Sequence, residues 1–279
     1  MSQGFVLVTG ASTGIGRATA LLLDGRGFGV FAGVRRAEDA ENLRTAASER
    51  LVPVILDVSD ADQIATAARL VADAVGSAGL AGLVNNAGIA AAAPLEFVPI
   101  DDFRRQLEVN VVGQLAVTQA LMPLLRVARG RIVNITSIGG LIAGPILGPY
   151  HASKFALEAM TDTLRVELRP WGIEVVAIEP GEIATPIWTT SSAASDRMLS
   201  GVLEEVTELY GPSILRAQQT ARSATRHGLD PARVAETVER ALTARRPRTR
   251  YPVGADARIG SAIIARLPDR LRDRLVGSR

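Results

Sequence analysis

The stretch Tyr150-His151-Ala152-Ser153-Lys154 carries the most pointed chemistry in the sequence. On a helix, residues i and i+4 share a face, so the phenol and the ammonium point the same way. A free tyrosine, with a pKa of about 10, is a poor base near neutrality, and a neighbouring cation favours its phenolate. Ser137 lies 13 residues upstream at the end of an apolar run. Its hydroxyl can donate to a substrate oxygen on which charge develops. Lys154 is also the single lysine among 31 basic residues, the rest being arginine. Nucleotide bias can thin out lysine elsewhere, but a need for a compact ammonium at one place gives the same pattern. His151 faces elsewhere on such a helix and reads as structural or partly exposed.

A second constellation is Thr9-Gly10-Ala11-Ser12-Thr13-Gly14-Ile15-Gly16. Glycines allow positive φ and close backbone approach, and a helix N-terminus offers free N–H groups to a pyrophosphate. The spacing differs from the usual Gly-x-Gly-x-x-Gly, and alone it also fits a tight turn. The next apolar run ends Gly33-Val34-Arg35-Arg36, with no acid at its tip. A carboxylate there would accept from ribose hydroxyls and repel a 2′-phosphate, whereas two guanidiniums suit a phosphate. NADP is therefore expected over NAD; the competing reading is that Arg35 and Arg36 begin a solvated helix. Asp57-Val58 and Asn85-Asn86-Ala87-Gly88 close two further runs. The asparagines can bridge backbones and line an adenine or ribose pocket, although the same four residues also make an ordinary turn.

Positioning these groups requires alternating elements. Apolar runs at 5–8, 30–34, 52–56, 82–84, 131–136, 174–178 and 251–253 read as strands. Helical spacing covers 15–26, 37–48, 60–75 with an Asp60 cap, 101–125, 151–168 and 231–244. Such alternation predicts an α/β fold: one doubly wound parallel sheet, a single Rossmann-type domain over 1–279. After the sixth strand the rhythm breaks. Residues 182–229 contain no strand, and Met198, Leu199, Val202, Leu203, Val206 and Leu209 form a helical stripe. A helical substrate lid at about 182–229 is expected, offering Ile183, Ile187, Trp188, Met198, Leu199 and Leu203 to a ligand; a helix covering the sheet edge is the alternative.

Composition narrows the chemistry. Among 279 residues, 47% are hydrophobic and 22% charged, which excludes a disordered chain. With no cysteine and two histidines, thiolate metal sites, a cysteine nucleophile and a three-histidine zinc site are excluded, and no metal is expected. From Arg216 to Arg279 there are 15 Arg against 6 Asp or Glu. Such a basic tail, about 254–279, could meet nucleic acid or anionic lipid, or be a solvated face. Ile259, Ile263, Ile264, Leu267, Leu271 and Leu275 suggest instead that it closes over the subunit or its neighbour, without nucleic-acid binding. The sequence opens Met-Ser-Gln-Gly and enters a strand at once, with no leader pattern and no 18-residue apolar run. A soluble cytoplasmic protein without stable membrane insertion is expected.

Taken in order, TGASTGIG (9–16), LDV (56–58), NNAG (85–88), Asn110 within EVNVVG, GRIVNITS (130–137), YHASK (150–154) and PGEIATP (180–186) resemble the short-chain dehydrogenase/reductase family. The resemblance spans essentially residues 4–190. It implies a catalytic tetrad of Asn110, Ser137, Tyr150 and Lys154. Tyr150 would be the general acid/base and Ser137 the carbonyl polariser. Lys154 would bind the nicotinamide ribose and lower the tyrosine pKa, and Asn110 would hold a water in a proton relay. Cofactor contacts would come from Gly10, Ser12, Thr13, Gly14, Ile15, Gly16, Arg35, Arg36, Asp57, Val58, Asn86, Ala87, Gly88, Tyr150, Lys154, Pro180, Gly181, Ile183 and Thr185.

The segments VFAGVRRAEDAENLR and VVAIEPG look closest to the branch of retinol, 17β-hydroxysteroid and 3-hydroxybutyrate dehydrogenases. That branch implies interconversion of apolar or secondary alcohols with ketones or aldehydes, which with Arg35 and Arg36 gives an expected NADP(H)-dependent oxidoreductase, and the family implies a homodimer or homotetramer paired through the two long helices. Two other readings stay open: a dinucleotide-dependent epimerase or dehydratase, and a non-catalytic NADP-binding redox sensor.

Overall fold

Short apolar, largely β-branched runs form the strands because each is covered on both faces of a parallel sheet. They are β1 (Phe5–Val8), β2 (Gly29–Val34), β3 (Leu51–Ile55), β4 (Gly82–Asn85), β5 (Arg131–Ile135), β6 (Glu174–Pro180) and β7 (Arg250–Val253). All pair in parallel, in the order β3-β2-β1-β4-β5-β6-β7. The chain runs outward from β1 in one direction and from β4 in the other. This switch point opens a crevice at the carboxyl ends of the strands. The computed structural model describes residues 3–277; Met1, Ser2, Ser278 and Arg279, the outermost residues of the expected domain and tail, lie outside it.

Helices cover both faces. α1 (Gly14–Gly25), α2 (Ala37–Ala46) and α9 (Pro231–Thr243) bury Leu23, Leu43 and Val238 against Val6, Val8 and Val30. On the other face α3 (Ala61–Val75), α5 (Gly113–Ala128) and α6 (Gly148–Glu167) bury Val71, Leu121 and Leu164 against Leu7, Phe31 and Ile132. Each fully buried Leu or Val contributes about 1.5–3 kcal/mol. α3 opens on Asp60, whose carboxylate accepts from the amides of Asp62 and Gln63.

Two helices differ from their expected form. The long helix expected over 101–125 is α4 (Ile100–Leu107), a π turn at Glu108–Val112, and α5. It packs closely beside β3: a Cβ on Gly113 would come 2.4 Å from the Val58 carbonyl oxygen. By length and composition the stretch Ile100–Ala128 could cross a membrane, with 33% of its most apolar window buried within the protein. α6 begins at Gly148, three residues before the expected start, with Pro149 in its first turn.

The expected lid is two helices, α7 (Ile187–Leu199) and α8 (Leu203–His227). Its ends are stitched together, since Ala184 N donates to Leu229 O at 2.9 Å and Leu229 N to Glu182 O at 3.0 Å. The tail folds as α10 (Ala255–Ala262) and α11 (Asp269–Gly277), and only part of its apolar stripe closes over the subunit, Ile264 and Leu267 being half-buried. Ile259, Ile263, Leu271 and Leu275 are exposed. The docked face of α10 is built from small residues, Ala257 and Gly260, because a Cβ on Gly260 would come 2.7 Å from Ile138.

Candidate active site

The crevice is a cleft of about 1010 Å³ across the carboxyl ends of β1, β2, β4, β5 and β6. Gly10, Ser12, Thr13, Gly14 and Ile15 form one wall, with Arg35, Asp57, Val58, Asn86, Ala87 and Gly88 beyond them. Ser137, Tyr150, Lys154, Pro180, Gly181, Ile183 and Thr185 form the other side.

The first wall suits a pyrophosphate for local reasons. Gly10 and Gly14 have φ of +64° and +54°, where a side chain would be strained. Thr13 precedes α1 in extended conformation without a side-chain cap, and the first turn holds no acid, so its backbone N–H groups stay available to an anion. Asn86 fixes the loop from behind, donating through Nδ2 to the carbonyls of Thr9 (2.9 Å) and Gly10 (3.1 Å). Burial pushes the Asp57 carboxyl up, but hydrogen bonds from Ser59 and the charges of Arg35 and Arg105 outweigh it and hold the group below its ordinary value. These residues fit a dinucleotide: a glycine-cradled helix N-terminus, then an acceptor and a cation at the next strand ends.

Two expected cofactor residues stand outside the cleft lining. Gly16 is packed behind the loop, where a Cβ would come 2.2 Å from the Gly10 carbonyl oxygen, so it allows close packing and touches no ligand space. Arg36 turns away to Asp39, three residues on, with Nε–Oδ2 at 2.9 Å and Nη2–Oδ1 at 3.0 Å. The local acid takes the guanidinium that the strand-tip pattern offers to a phosphate. Of the two strand-tip arginines, Arg35 remains at the cleft.

Tyr150 sits in the first turn of α6, with Lys154 one turn on and Ser137 facing it from the end of β5. Ser137 Oγ accepts from Gly139 N at 3.0 Å and donates to Pro180 O at 3.5 Å, and it acts on the Tyr150 phenol across the cleft side. Lys154 is buried, and its Nζ donates to Ile135 O at 2.8 Å and lies 5.7 Å from the Tyr150 ring centre. Burial pulls Lys154 down to about 8, against the charge of Glu158. Burial also pushes the Tyr150 phenol up, opposed by Ser137. That direction is opposite to the lowering expected from Lys154. The ammonium is drawn to the Ile135 carbonyl, and the desolvation of the phenol prevails.

Asn110 lies in the π turn and not on the cleft wall. Its Oδ1 accepts from Ile89 N at 2.9 Å, and Nδ2 donates to Ile89 O at 2.9 Å and Ser153 Oγ at 3.0 Å. Both amide hydrogens are spent on protein, so the side chain ties the loop after β4 to α6. His151 Nδ1 pairs with Gly139 O at 2.9 Å. Of the expected lid residues, Ile183, Ile187 and Trp188 line the cleft. Met198 and Leu199 pack instead with Ala93, Val98 and Val206, and Leu203 is exposed, because the stripe splits between two helices.

Sequence reasoning missed Glu158, Glu179 and Arg250, which meet behind Lys154. Glu158 was within reach of the i, i+4 rule, four residues past Lys154. Glu179 and Arg250 meet only because β6 pairs with β7. Among the described residues no group of three or more His, Asp or Glu could hold a metal ion.

Comparison with known proteins agrees with this geometry. The short chain dehydrogenase family profile matches residues 4–196. Retinol dehydrogenase 5 of Mus musculus is 41% identical over 281 residues, covering 98% of this chain and 87% of that protein. The 17-beta-hydroxysteroid dehydrogenase type 6 of Bos taurus is 38% identical, with 98% and 87% covered. A short chain dehydrogenase from Burkholderia cenocepacia, solved in complex with NADP, is 27% identical with a TM-score of 0.75, covering 97% of this chain and 95% of that one. The profile takes in the glycine loop, both asparagine-bearing segments and the Tyr150–Lys154 helix, and this chain is an oxidoreductase that belongs to the short chain dehydrogenase family.

Proposed function

We propose that this enzyme reversibly interconverts an apolar or secondary alcohol and its ketone or aldehyde, using NADP(H), with Tyr150 as general acid/base. The observation that carries the reading is the cleft-side trio: Ser137, Tyr150 and Lys154 line one side of the cleft together, with the buried Lys154 ammonium 5.7 Å from the Tyr150 ring centre. A bound nicotinamide dinucleotide would supply or accept the hydride at the substrate carbon. In the reducing direction Tyr150 gives its proton to the carbonyl oxygen while Ser137 donates to the same oxygen as charge develops. In the oxidising direction the phenolate takes the alcohol proton, and the positive charge of Lys154 favours that state. Asn110 acts as a strut between loop and helix, not through a free side-chain amide.

The preference for the 2′-phosphorylated cofactor rests on Arg35, since Arg36 is engaged by Asp39. An apolar substrate is supported by Ile183, Ile187 and Trp188 on the cleft wall and by relatives named for retinol and a steroid. Pairing of subunits is supported by a groove of about 590 Å³ between α5 and α6, lined by Leu115, Met122, Met160 and Leu164. The test is NADPH consumption across a ketone series of increasing apolar area. kcat/KM should rise by about 0.8 kcal/mol of transition-state binding per buried methylene. A flat response from acetone-sized ketones to fused-ring ketones would refute the apolar substrate, and no turnover of any carbonyl would refute the reading itself.

A further inference from the structure

A second buried charge group lies one turn past Lys154. Glu158 on α6 and Glu179 on β6 are only 5% and 1% exposed, and Oε1 of each meets no hydrogen-bond donor. One guanidinium, Arg250 on β7, serves both: Nη2 is 3.0 Å from Glu158 Oε2, and Nε is 3.1 Å from Glu179 Oε1 but out of line for a hydrogen bond. Arg250 Nη2 also contacts Asp162 at 2.8 and 2.7 Å, and Asp162 pairs with Arg165. Asp162 is partly exposed and held below its ordinary value, so it stays ionised and takes up much of the Arg250 charge. The two buried carboxyls are left with Lys154 as the other cation acting on Glu158.

Two unsolvated like charges sharing one already engaged guanidinium do not both ionise. We propose that Glu158 and Glu179 share one proton across Arg250, leaving a single negative charge toward Lys154, and so act as positioning residues that set the charge of Lys154. This inference rests on the catalytic reading of Tyr150 and Lys154 above. Burial, reinforced by the charge of Glu158, pushes Glu179 up to about 7, and burial also raises Glu158. The pair therefore gives up its proton just below the range in which Lys154, pulled to about 8, titrates. Glu179 itself is outside the cleft wall; its neighbours Pro180 and Gly181 are part of it.

The single lysine makes a direct test possible. Full-length protein grown with 13Cε-lysine carries one lysine side-chain NMR signal, and its pH titration reads Lys154 without substrate or cofactor. The wild type should show two inflections, a small one near 7 from the acid pair and the main one near 8 from the ammonium. Glu179→Gln should remove the lower inflection. Glu158→Gln should drop the main midpoint by about one pH unit, and Glu158→Asp should restore part of it. A single inflection in the wild type, or a midpoint unmoved in Glu158→Gln, would overturn the proposal. If Glu158→Gln fails to fold, the wild-type and Glu179→Gln titrations decide. A merely structural cluster would lower the melting temperature and leave the titration unchanged. Absence of turnover with the titration as expected would instead refute the dehydrogenase reading.

Discussion

The end of β5 with α6, and the lid formed by α7 and α8, are held in different ways. Behind Ser137, Tyr150 and Lys154, a chain of amides and hydroxyls is bonded to fixed partners: Asn134 donates to Thr161 at 2.8 Å and accepts from Asn85 at 2.9 Å, while Asn85 also donates to Thr118 at 2.9 Å. Such buried networks rigidify and lock geometry. The lid rests on a small cluster around Leu199 and Val206, on Trp188 Nε1 donating to Ile183 O at 2.9 Å and on the exposed Tyr210 Oη donating to Glu96 at 2.6 Å. Leu203, Leu209 and Leu215 are each more than half exposed. The side chains proposed to carry the reaction thus stand where geometry is fixed, and the proposed lid where local opening costs little.

Substitutions graded by depth test this contrast. Lys154→Arg should have the largest effect, a loss of at least about 100-fold in kcat. A planar fork cannot replace a compact ammonium that donates to Ile135 O in a buried slot. Steady-state kinetics of the purified variant decide it, and wild-type turnover would show that the lysine position tolerates any cation. Glu179→Gln comes next, read in stability. Because the folded carboxyl has a raised pKa, its contribution is fully present below the unfolded value of 4.5 and is lost as pH rises through about 7. Across that window wild-type stability relative to the variant should fall by no more than about 3 kcal/mol, less the screening at partly wet Arg250. Parallel denaturant curves would reject this if the two proteins kept a constant difference.

Arg35→Asp should reverse a cofactor preference of at least tenfold, or about 1.4 kcal/mol. Titrating NADPH and NADH at fixed ionic strength checks it, and equal affinities in the wild type would remove the argument. Leu203→Ala, on the lid, should change stability by less than about 0.5 kcal/mol. A larger loss by thermal unfolding would mean the lid is held as firmly as the catalytic helix.

Legibility from sequence followed the same division. β1, the glycine loop and the Tyr150–Lys154 spacing could be read because each is local: an apolar run, a backbone requirement and a helical repeat. Arg36 could not be placed by strand position alone, since Asp39 competes for it three residues away. The π turn at Asn110 interrupts a stretch whose spacing reads as one continuous helix, and the Glu158–Arg250–Glu179 group arises from strand pairing between distant segments. The docked face of the tail was hidden because it uses Ala257 and Gly260, while hydrophobicity points to Ile259 and Ile263.

The central claim is that Tyr150 moves the proton in a site whose cofactor binding does not depend on its hydroxyl. Tyr150→Phe keeps the ring and removes only that oxygen. Measured side by side, NADPH affinity by fluorescence and NADPH-dependent reduction of an apolar ketone should separate: binding within about threefold of wild type, and turnover lost. Residual turnover near the wild-type rate in Tyr150→Phe, with binding intact, would contradict the assignment of Tyr150 as the general acid/base.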